Sequence, residues 1–227
     1  MQKISVIIYG PPGSGKGTQS ELIANNYKLI HFDTGQRIRE VIYDPANAND
    51  EVIQRQRKQY YEKGLLCEEW WVFKIVSEGI RDLGKVSGLV LSGSPRTLYE
   101  AFDEGDRKGT MSILDDLYGK EHIYIFLLKV SPEAATFRNG KRKVCPVCGR
   151  GYLFQKDAEL NACPICLSPL TLRTDDNPAL MLDRLTEFEK RTAPIMDGLR
   201  KRGYTVHEIN GEQPPYLVYR DITKWLS

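Results

Sequence analysis

Short apolar runs alternate along the chain with longer segments in which apolar residues recur every three or four positions. The runs are rich in β-branched residues and lie at 4–9, 29–32, 88–91, 122–130 and 204–209. Runs of this length and composition are typical of strands that are buried on both faces of a parallel sheet. Because helical patterns separate them, the order predicts an α/β fold with a doubly wound parallel sheet of about five strands, flanked by helices.

The helical segments differ in polarity. Asp33 and Thr34 offer N-capping oxygens to one helix, and a second, polar helix is predicted at 50–62, ending at Gly64. Since this polar pair cannot form a core alone, we expect a small lobe hinged on the main body. Further helices are predicted with an apolar face at 70–76, after Thr97 to about residue 108, after Ser131-Pro132, from the cap at 175–178 to about 202, and from the Asn210-Gly211 turn to Trp225.

A glycine-rich turn follows the first strand, where residues 9–19 read YGPPGSGKGTQ. Such a turn between a strand and a helix aims backbone N–H groups and the positive end of the helix at one point, which suits phosphate. The turn fits the P-loop pattern G-x4-G-K, with Gly17 in the usual hydroxyl position and Thr18 after it. Lys16 adds a mobile cation, so the chain is predicted to bind a nucleoside triphosphate.

Four of the five cysteines form two C-x2-C pairs, Cys145/Cys148 and Cys163/Cys166. Paired knuckles of this kind predict a four-thiolate zinc site in a lobe inserted at about 141–173. Two disulfides are the alternative, and a reducing compartment argues against them. The fifth, Cys67, is expected to be an ordinary small apolar residue.

Composition narrows the functional classes. The formal net charge of +2 argues against a nucleic-acid binder driven by overall charge. No run approaches the roughly 18 uninterrupted apolar residues of a membrane helix. The N-terminal residues lead directly into the first strand and do not resemble a signal peptide, so a cytoplasmic location is expected.

The chain resembles the adenylate kinase family in its long-lid form with a zinc-binding lid, over nearly its whole length. Seven elements occur in the family's order: G-x-P-G-x-G-K-G-T-Q at Gly10 to Gln19, T-G-x-x-x-R at Thr34, Gly35 and Arg39, most of G-F-P-R-T at 93–97, the lid-entrance residues Arg138 and Arg142, R-x-D-D-x-P at 173–178, R-L at Arg184-Leu185, and T-A-P at 192–194.

The resemblance implies a P-loop core at 1–32, 68–140 and 177–227, an NMP-binding lobe at 33–67 and a zinc-binding lid at 141–176. It implies the reaction ATP + AMP ⇌ 2 ADP with magnesium, in a monomer that binds neither nucleic acid nor membrane. Phosphoryl transfer depends on positioning and on neutralising charge, so arginines from several elements suit it. The catalytic residues implied are Lys16, Arg96, Arg138, Arg142, Arg173 and Arg184.

The binding residues also follow from the resemblance. Those implied for ATP are Gly10, Pro11, Pro12, Gly13, Ser14, Gly15, Lys16, Gly17, Thr18, Arg138, Arg142, Gly151, Tyr152 and Gln213. Those implied for the monophosphate are Thr34, Gly35, Arg39, Leu65, Leu66, Cys67, Gly93, Arg96, Glu100, Arg173 and Arg184. Asp175 and Asp176 are implied to position arginines or to close the lid.

The chain departs from the family on the acceptor and magnesium side. Ser92 replaces the usual Asp after the third strand, Gln36 replaces a second Asp, and Ser94 replaces Phe. Asp33, immediately before Thr34, is expected to restore a carboxylate near the magnesium ion. Glu100 replaces the Gln that reads adenine, and an ionised carboxylate only accepts hydrogen bonds.

Three alternatives stay open at this point. The acceptor could be a different nucleoside monophosphate. The chain could be a nucleotide-gated protein whose basic zinc lobe, with Lys141-Arg142-Lys143, grips nucleic acid. It could also be a silenced relative, given Ser92.

Overall fold

The computed structural model describes residues 3–63, 65–152, 160–172 and 178–226. Its main sheet is parallel and five-stranded, in the order β2-β3-β1-β4-β8. The strands are β1 Ser5–Tyr9, β2 Ile30–Asp33, β3 Leu89–Ser92, β4 Ile123–Lys129 and β8 Val206–Asn210. The doubly wound α/β prediction is therefore confirmed, with each strand within two residues of its predicted position.

Helices cover both faces of the sheet because β1 presents apolar side chains alternately to each side. Val6 and Ile8 pack with α1 (Lys16–Tyr27) and α10 (Pro215–Thr223), whereas Ile7 and Tyr9 pack with α4 (Glu69–Val86), α6 (Thr110–Tyr118) and α9 (Ala193–Lys201). Burying a side chain of this size stabilises the fold by roughly 1.5–3 kcal/mol. The carboxyl end of β1 is thereby held rigidly at the glycine-rich turn.

A polar helical lobe follows β2. It contains α2 (Thr34–Tyr43), a 3-10 turn (Pro45–Asn47), α3 (Glu51–Gln59) and a second 3-10 turn (Tyr61–Lys63). The predicted cap is confirmed, because the carboxylate of Asp33 accepts the Gln36 N–H at 3.1 Å. The second helix ends at Gln59, earlier than predicted, and Gly64 lies outside the described residues.

The single helix predicted from Thr97 to about residue 108 is wrong. The structure has a short helix α5 (Leu98–Ala101) and then a separate helix α6, Thr110–Tyr118. Asp103 separates them, since its carboxylate accepts the Gly109 N–H at 2.6 Å and the Ser112 hydroxyl at 2.9 Å. These bonds satisfy donors at the start of α6, which makes a break there more stable than a continuous helix.

Helix α7 (Pro132–Lys141) leads into the predicted lid, which contains a small antiparallel sheet. Its strands are β5 Lys143–Val144, β6 Gly151–Tyr152 and β7 Thr171–Leu172, in the order β6-β5-β7. The paired cysteines lie in the turns between these strands. The domain boundaries given above stay predictions.

The long helix predicted before β8 is interrupted. It consists of α8 (Pro178–Glu187), a π-helical turn (Phe188–Thr192) and α9. Pro194 explains the interruption, because proline has no N–H to donate to the carbonyl of Lys190 and its ring crowds the preceding turn. The predicted capping residues at 175–177 lie outside the described residues.

Within the described ranges, none of the helices combines the length and the apolar character needed to cross a membrane.

Candidate active site

The glycine-rich turn runs from the carboxyl end of β1 to the first residue of α1. Gly13 and Gly15 have φ values of 81° and 92°, a region that side chains disfavour. A Cβ on Gly13 would also lie 2.5 Å from the Ala135 carbonyl oxygen. The ammonium of Lys16 donates to the carbonyls of Gly10 at 2.7 Å and Pro11 at 2.9 Å. The turn is thus held tightly and leaves the N-terminus of α1 facing a cavity.

Several predicted cations converge on Lys16. Burial lowers the pKa of Lys16 well below its ordinary value, and the nearby charges of Arg96, Arg184 and Arg142 lower that pKa further, while Asp33 raises it. These arginines come from the loop after β3, from α8 and from the end of α7. Positive charges this close together repel one another, and such a cluster is typical of a site that binds a polyanion.

The backbone around Arg96 is held on both sides of its Cα atom. Its N–H donates to Glu100 Oε2 at 2.9 Å, and its carbonyl oxygen accepts the Thr192 hydroxyl at 2.9 Å. Its side-chain Nε donates to the Gly93 carbonyl at 2.6 Å. Two hydrogen bonds therefore hold the Arg96 backbone, and a third holds its guanidinium group.

Glu100 is a buried carboxyl group, with 3% of the residue exposed. Burial raises its pKa from 4.5 to about 7, although the Arg96 N–H and the Arg96 charge oppose that rise. Burial therefore favours the protonated form of Glu100, and its side chain lies inside the protein against the Arg96 N–H and not in solvent.

Polar groups also lie at the carboxyl ends of β2 and β3. Asp33 and Ser92 are partners across this strand pair, and the Ser92 hydroxyl lies 2.7 Å from His31 Nε2. Burial lowers the pKa of His31 from 6.5, which favours the neutral ring. Asp33 is therefore the carboxylate that this edge of the sheet offers to the phosphate loop.

A cavity of about 400 Å³ joins these elements. Many of the predicted binding residues line it: Gly10, Pro12, Gly13, Gly15, Lys16, Gly17, Thr18, Thr34, Gly35, Leu65, Leu66, Cys67, Gly93, Arg96, Glu100, Arg138, Arg142, Gly151 and Arg184. A volume of this size is typical of a small-molecule site.

Other predicted residues lie beside the cavity or outside the described residues. Arg39 donates to the Tyr61 hydroxyl at 3.0 Å, and Tyr61 itself lines the cavity. Gln213 lies in the loop after β8 and donates to the Asn210 carbonyl and to Asp221, each at 3.0 Å. Pro11, Ser14 and Tyr152 are also outside the cavity lining. Arg173, Asp175 and Asp176 lie outside the described residues.

Arg138 lines the cavity, but its guanidinium also contacts the far edge of the sheet. Its two terminal nitrogens donate to the carbonyls of Gly211 at 2.7 Å and Glu212 at 2.9 Å. Its contact with the loop after β8 was not predicted. Arg138 thereby connects α7, which leads to the lid, with the end of β8.

The four paired cysteines form one cluster, with all four Sγ atoms within 4.8 Å of one another. Sγ–Sγ distances of 3.3 Å for Cys145/Cys166 and 3.6 Å for Cys148/Cys163 are far longer than a disulfide bond of about 2.05 Å. A tetrahedral metal with bonds of about 2.3 Å would hold its sulfurs a little under 4 Å apart. The cluster therefore fits a four-thiolate metal site.

Tyr152 connects this cluster to the lid strands. Its hydroxyl lies 3.1 Å from the Sγ atom of Cys163, and that hydrogen bond is the main reason that the Cys163 pKa falls to about 6. A thiol with a lowered pKa is readily deprotonated, which is the form that metals bind.

Comparison with known proteins decides the family. The adenylate kinase profile matches residues 8–204. The chain belongs to the adenylate kinase family. The adenylate kinase of Chlamydia pneumoniae is 33% identical, covering 99% of this chain and 98% of the relative. That of Kosmotoga olearia is 32% identical, covering 99% of each chain.

Family membership confirms the resemblance drawn from the motifs and makes the chain a phosphotransferase. Some cavity residues were not predicted from the sequence. His31, Tyr61, Glu187 and Phe188 carry no motif signal of their own, and Thr192 was noted only as part of T-A-P. Glu187 and Phe188 follow the predicted Arg184 by three and four residues on the same helical segment, and His31 lies on β2 two residues before Asp33.

Proposed function

We propose that the chain transfers the γ-phosphoryl group of ATP to AMP, giving two ADP. The observation that supports this most is the convergence of Arg96, Arg142 and Arg184 on Lys16 within one cavity. A reaction between two phosphorylated substrates needs several cations at one point, and these cations come from separate elements.

On the donor side, the turn at 10–18 and the N-terminus of α1 bind the ATP phosphates. Lys16 leaves the carbonyls of Gly10 and Pro11 and binds the outer phosphates. The polyanion offsets the repulsion that lowers the Lys16 pKa, so the ammonium form is stabilised when ATP binds. Arg138, Arg142 and Gly151 approach the donor nucleotide from the lid side.

On the acceptor side, Thr34, Gly35 and the segment 65–67 enclose the nucleoside, and Arg96 and Arg39 bind its phosphate. The Arg guanidinium suits this role because its paired donors match phosphate oxygens. Arg184 is assigned to the transferring group, because it lines the same cavity and its charge acts on Lys16. Arg173, Asp175 and Asp176 are assigned to transfer and lid closure on the family motifs alone.

The chemical step is an in-line displacement. An oxygen of the acceptor phosphate forms a bond to the γ-phosphorus while the bond from that phosphorus to the β,γ-bridging oxygen breaks, and the electron pair leaves with ADP. No general base is required because the acceptor phosphate is already an anion. The arginines neutralise the charge on the transferring group, and closure of the lid excludes water that would hydrolyse ATP.

Magnesium would enter with ATP. Bound there, Mg²⁺ neutralises phosphate charge and fixes phosphate geometry. The carboxylate of Asp33 lines the cavity and its charge acts on Lys16, so it fits the need for an oxygen ligand or a partner for metal-bound water. The Ser92 hydroxyl adds a neutral oxygen at the neighbouring strand end.

Zinc is the metal proposed for the cysteine cluster, since four thiolates at tetrahedral spacing suit it best. Its role is structural: the lid has few apolar residues, and the metal supplies folding energy that its core cannot. The four cysteines persist as thiolates in a reducing compartment, which supports a cytoplasmic location for the protein. We further propose a monomer that binds neither nucleic acid nor membrane.

A second acceptor is favoured by one observation, the buried carboxyl of Glu100. When protonated, it donates one hydrogen bond and accepts another, as adenine requires at N1 and its amino group. When ionised, it suits the two donors of guanine at N1 and N2. AMP is the leading acceptor, and GMP is the alternative that the same site allows.

A coupled assay that offers ATP with AMP, GMP, CMP and UMP in turn tests the proposal. We expect ADP formation with AMP to exceed that with the pyrimidine monophosphates by at least about tenfold. Equal ATP loss with and without any monophosphate would indicate hydrolysis and contradict the kinase proposal. RNA or DNA binding that falls with salt would instead support the nucleic-acid alternative.

A further inference from the structure

The loop that carries Arg96 has no secondary structure to hold it. β3 ends at Ser92 and α5 begins at Leu98, so residues 93–97 lie outside both elements. The position of the Arg96 guanidinium therefore depends on the hydrogen bonds made by this loop. One of them comes from far along the chain.

That distant contact is the hydroxyl of Thr192, which donates to the Arg96 carbonyl oxygen at 2.9 Å across 96 residues of sequence. The Arg96 N–H is held on its other side by Glu100. The two peptide groups that flank the Arg96 Cα are thus each fixed by one side chain. Together they set the direction in which the arginine side chain leaves the backbone.

Thr192 is itself well anchored. Only 7% of it is exposed, and it ends the π-helical turn that continues α8, the helix of Arg184. The preceding residue, Arg191, pairs with Glu69 at the start of α4 and with Glu187 at 3.4 Å. The hydrogen bond from Thr192 therefore ties the Arg96 loop to the helical segment of Arg184.

We propose that Thr192 is a positioning residue that holds Arg96, and through it the acceptor phosphate, in register with Arg184. The proposal rests on the proposed kinase function. The π-helical turn supports it, since π-bulges inside helices occur often at functional sites. Arg96 contacts substrate in this scheme, whereas Thr192 acts only through the Arg96 backbone.

Thr192→Val tests this, because valine keeps the shape and loses the hydroxyl. A small displacement of a substrate-binding group costs up to about 10²-fold in rate, so we expect kcat/KM for AMP to fall by about tenfold. The KM for ATP should stay within about twofold of wild type, since the donor contacts are unchanged. Thr192→Ser should recover kcat/KM for AMP to within about threefold because it restores the hydroxyl.

Thr110→Val is the matched control. Thr110 is buried as Thr192 is, but its hydroxyl has no hydrogen-bond partner among the described residues. Its kinetics should equal those of wild type. If Thr192→Val keeps wild-type kcat/KM for AMP, or if Thr192→Ser is as impaired as Thr192→Val, Thr192 does not position Arg96. Thr192→Ala takes the place of Thr192→Val if the valine variant does not fold.

A measurement without turnover separates this proposal from the kinase function. The Arg96 Nε–H donates to Gly93 and should exchange slowly with water in an NMR spectrum, where Arg96→Lys identifies its signal. Thr192→Val should speed that exchange by at least about fivefold, because an opened loop frees the donor. Unchanged exchange overturns the positioning role. If the wild-type protein were inactive, the kinase function would be contradicted, but the positioning role of Thr192 would not.

Discussion

The backbone N–H of Arg96 donates to the buried carboxyl group of Glu100 at 2.9 Å. This contact places a titratable group directly behind the arginine assigned to the acceptor phosphate. Charges that act on it include Arg96 itself, Arg191 from the π-helical turn and Glu69 from α4. Burial raises the pKa of the Tyr9 hydroxyl on β1, and the charge of Glu100 raises it further.

The first prediction concerns stability. Because the Glu100 pKa rises from 4.5 to about 7, the native chain binds this proton more tightly than the unfolded chain does. Its contribution to the free energy of unfolding is therefore greatest at low pH and falls as pH rises from 4.5 to 7, by up to about 3 kcal/mol. Glu100→Gln removes this contribution.

Urea unfolding of both proteins at pH 5 and pH 8 measures the effect. The variant should gain stability relative to wild type on going to pH 8. The exposed Glu78 on α4 provides the control, and Glu78→Gln should show no such pH-dependent difference. An equal difference between Glu100→Gln and wild type at both pH values would mean that Glu100 does not titrate in this range.

The second prediction concerns the acceptor base. Protonated Glu100 suits adenine and ionised Glu100 suits guanine, so the ratio of kcat/KM for AMP to that for GMP should fall as pH rises through about 7. The change should be about tenfold between pH 6 and pH 8. In Glu100→Gln the ratio should favour AMP at every pH. If this substitution leaves both values and their pH dependence unchanged, Glu100 does not read the base.

The third prediction concerns Arg96. Arg96→Ala removes a contact to the acceptor phosphate, so we expect kcat to fall by at least about 10²-fold while ATP affinity stays near wild type. Lys16→Ala should instead weaken ATP binding and turnover together. The control is Arg200→Ala, since Arg200 is a surface arginine whose guanidinium pairs with the Glu208 carboxylate at 2.9 Å. Near-normal rates in Arg96→Ala would show that the acceptor site is misassigned.

The fourth prediction concerns the cysteine cluster. Elemental analysis should find about one zinc per chain, and Cys163→Ser should lower that content and lower activity while the main sheet keeps its thermal transition. Cys67 lies outside the cluster, so Cys67→Ser should keep the zinc. Native protein without metal, or a mass that shows two disulfides, would contradict the zinc assignment.

The sheet could be predicted from the sequence because its inner strands β1, β3 and β4 are buried on both faces and so appear as continuous apolar runs. The phosphate loop was equally readable, since glycines at positive φ and the following lysine have a local physical cause. The break between α5 and α6 was missed because Asp103 stabilises it through Gly109 and Ser112, contacts that helical periodicity does not reveal.

The sequence predicted most of the described site residues but few of the hydrogen bonds between them. Arg96 and Glu100 stand out in the motifs, and their contact is local: Thr97 caps α5 by accepting the Glu100 N–H at 3.2 Å, and the Glu100 carboxylate accepts the Arg96 N–H. The bond from Thr192 to Arg96 joins residues far apart in sequence, and only packing brings them together. Arg138 likewise reaches the carbonyls after β8, which no spacing within α7 could indicate.

The last prediction concerns magnesium, and it begins from the pairing of Asp33 with Ser92 at the ends of β2 and β3. Asp33→Asn removes the charge but keeps an oxygen that can accept the Gln36 N–H, so the cap of α2 should survive. We expect ATP binding, measured by calorimetry, to need about tenfold more Mg²⁺ in this variant, since one carboxylate is lost from the metal's surroundings.

Asp44→Asn is the matched control, because Asp44 caps the neighbouring 3-10 turn at 2.9 Å and lies outside the cavity. Adding Ser92→Asp to Asp33→Asn returns a carboxylate from the adjacent strand and should recover part of the Mg²⁺ dependence. An Mg²⁺ titration of Asp33→Asn that matches wild type would show that Asp33 does not serve the metal.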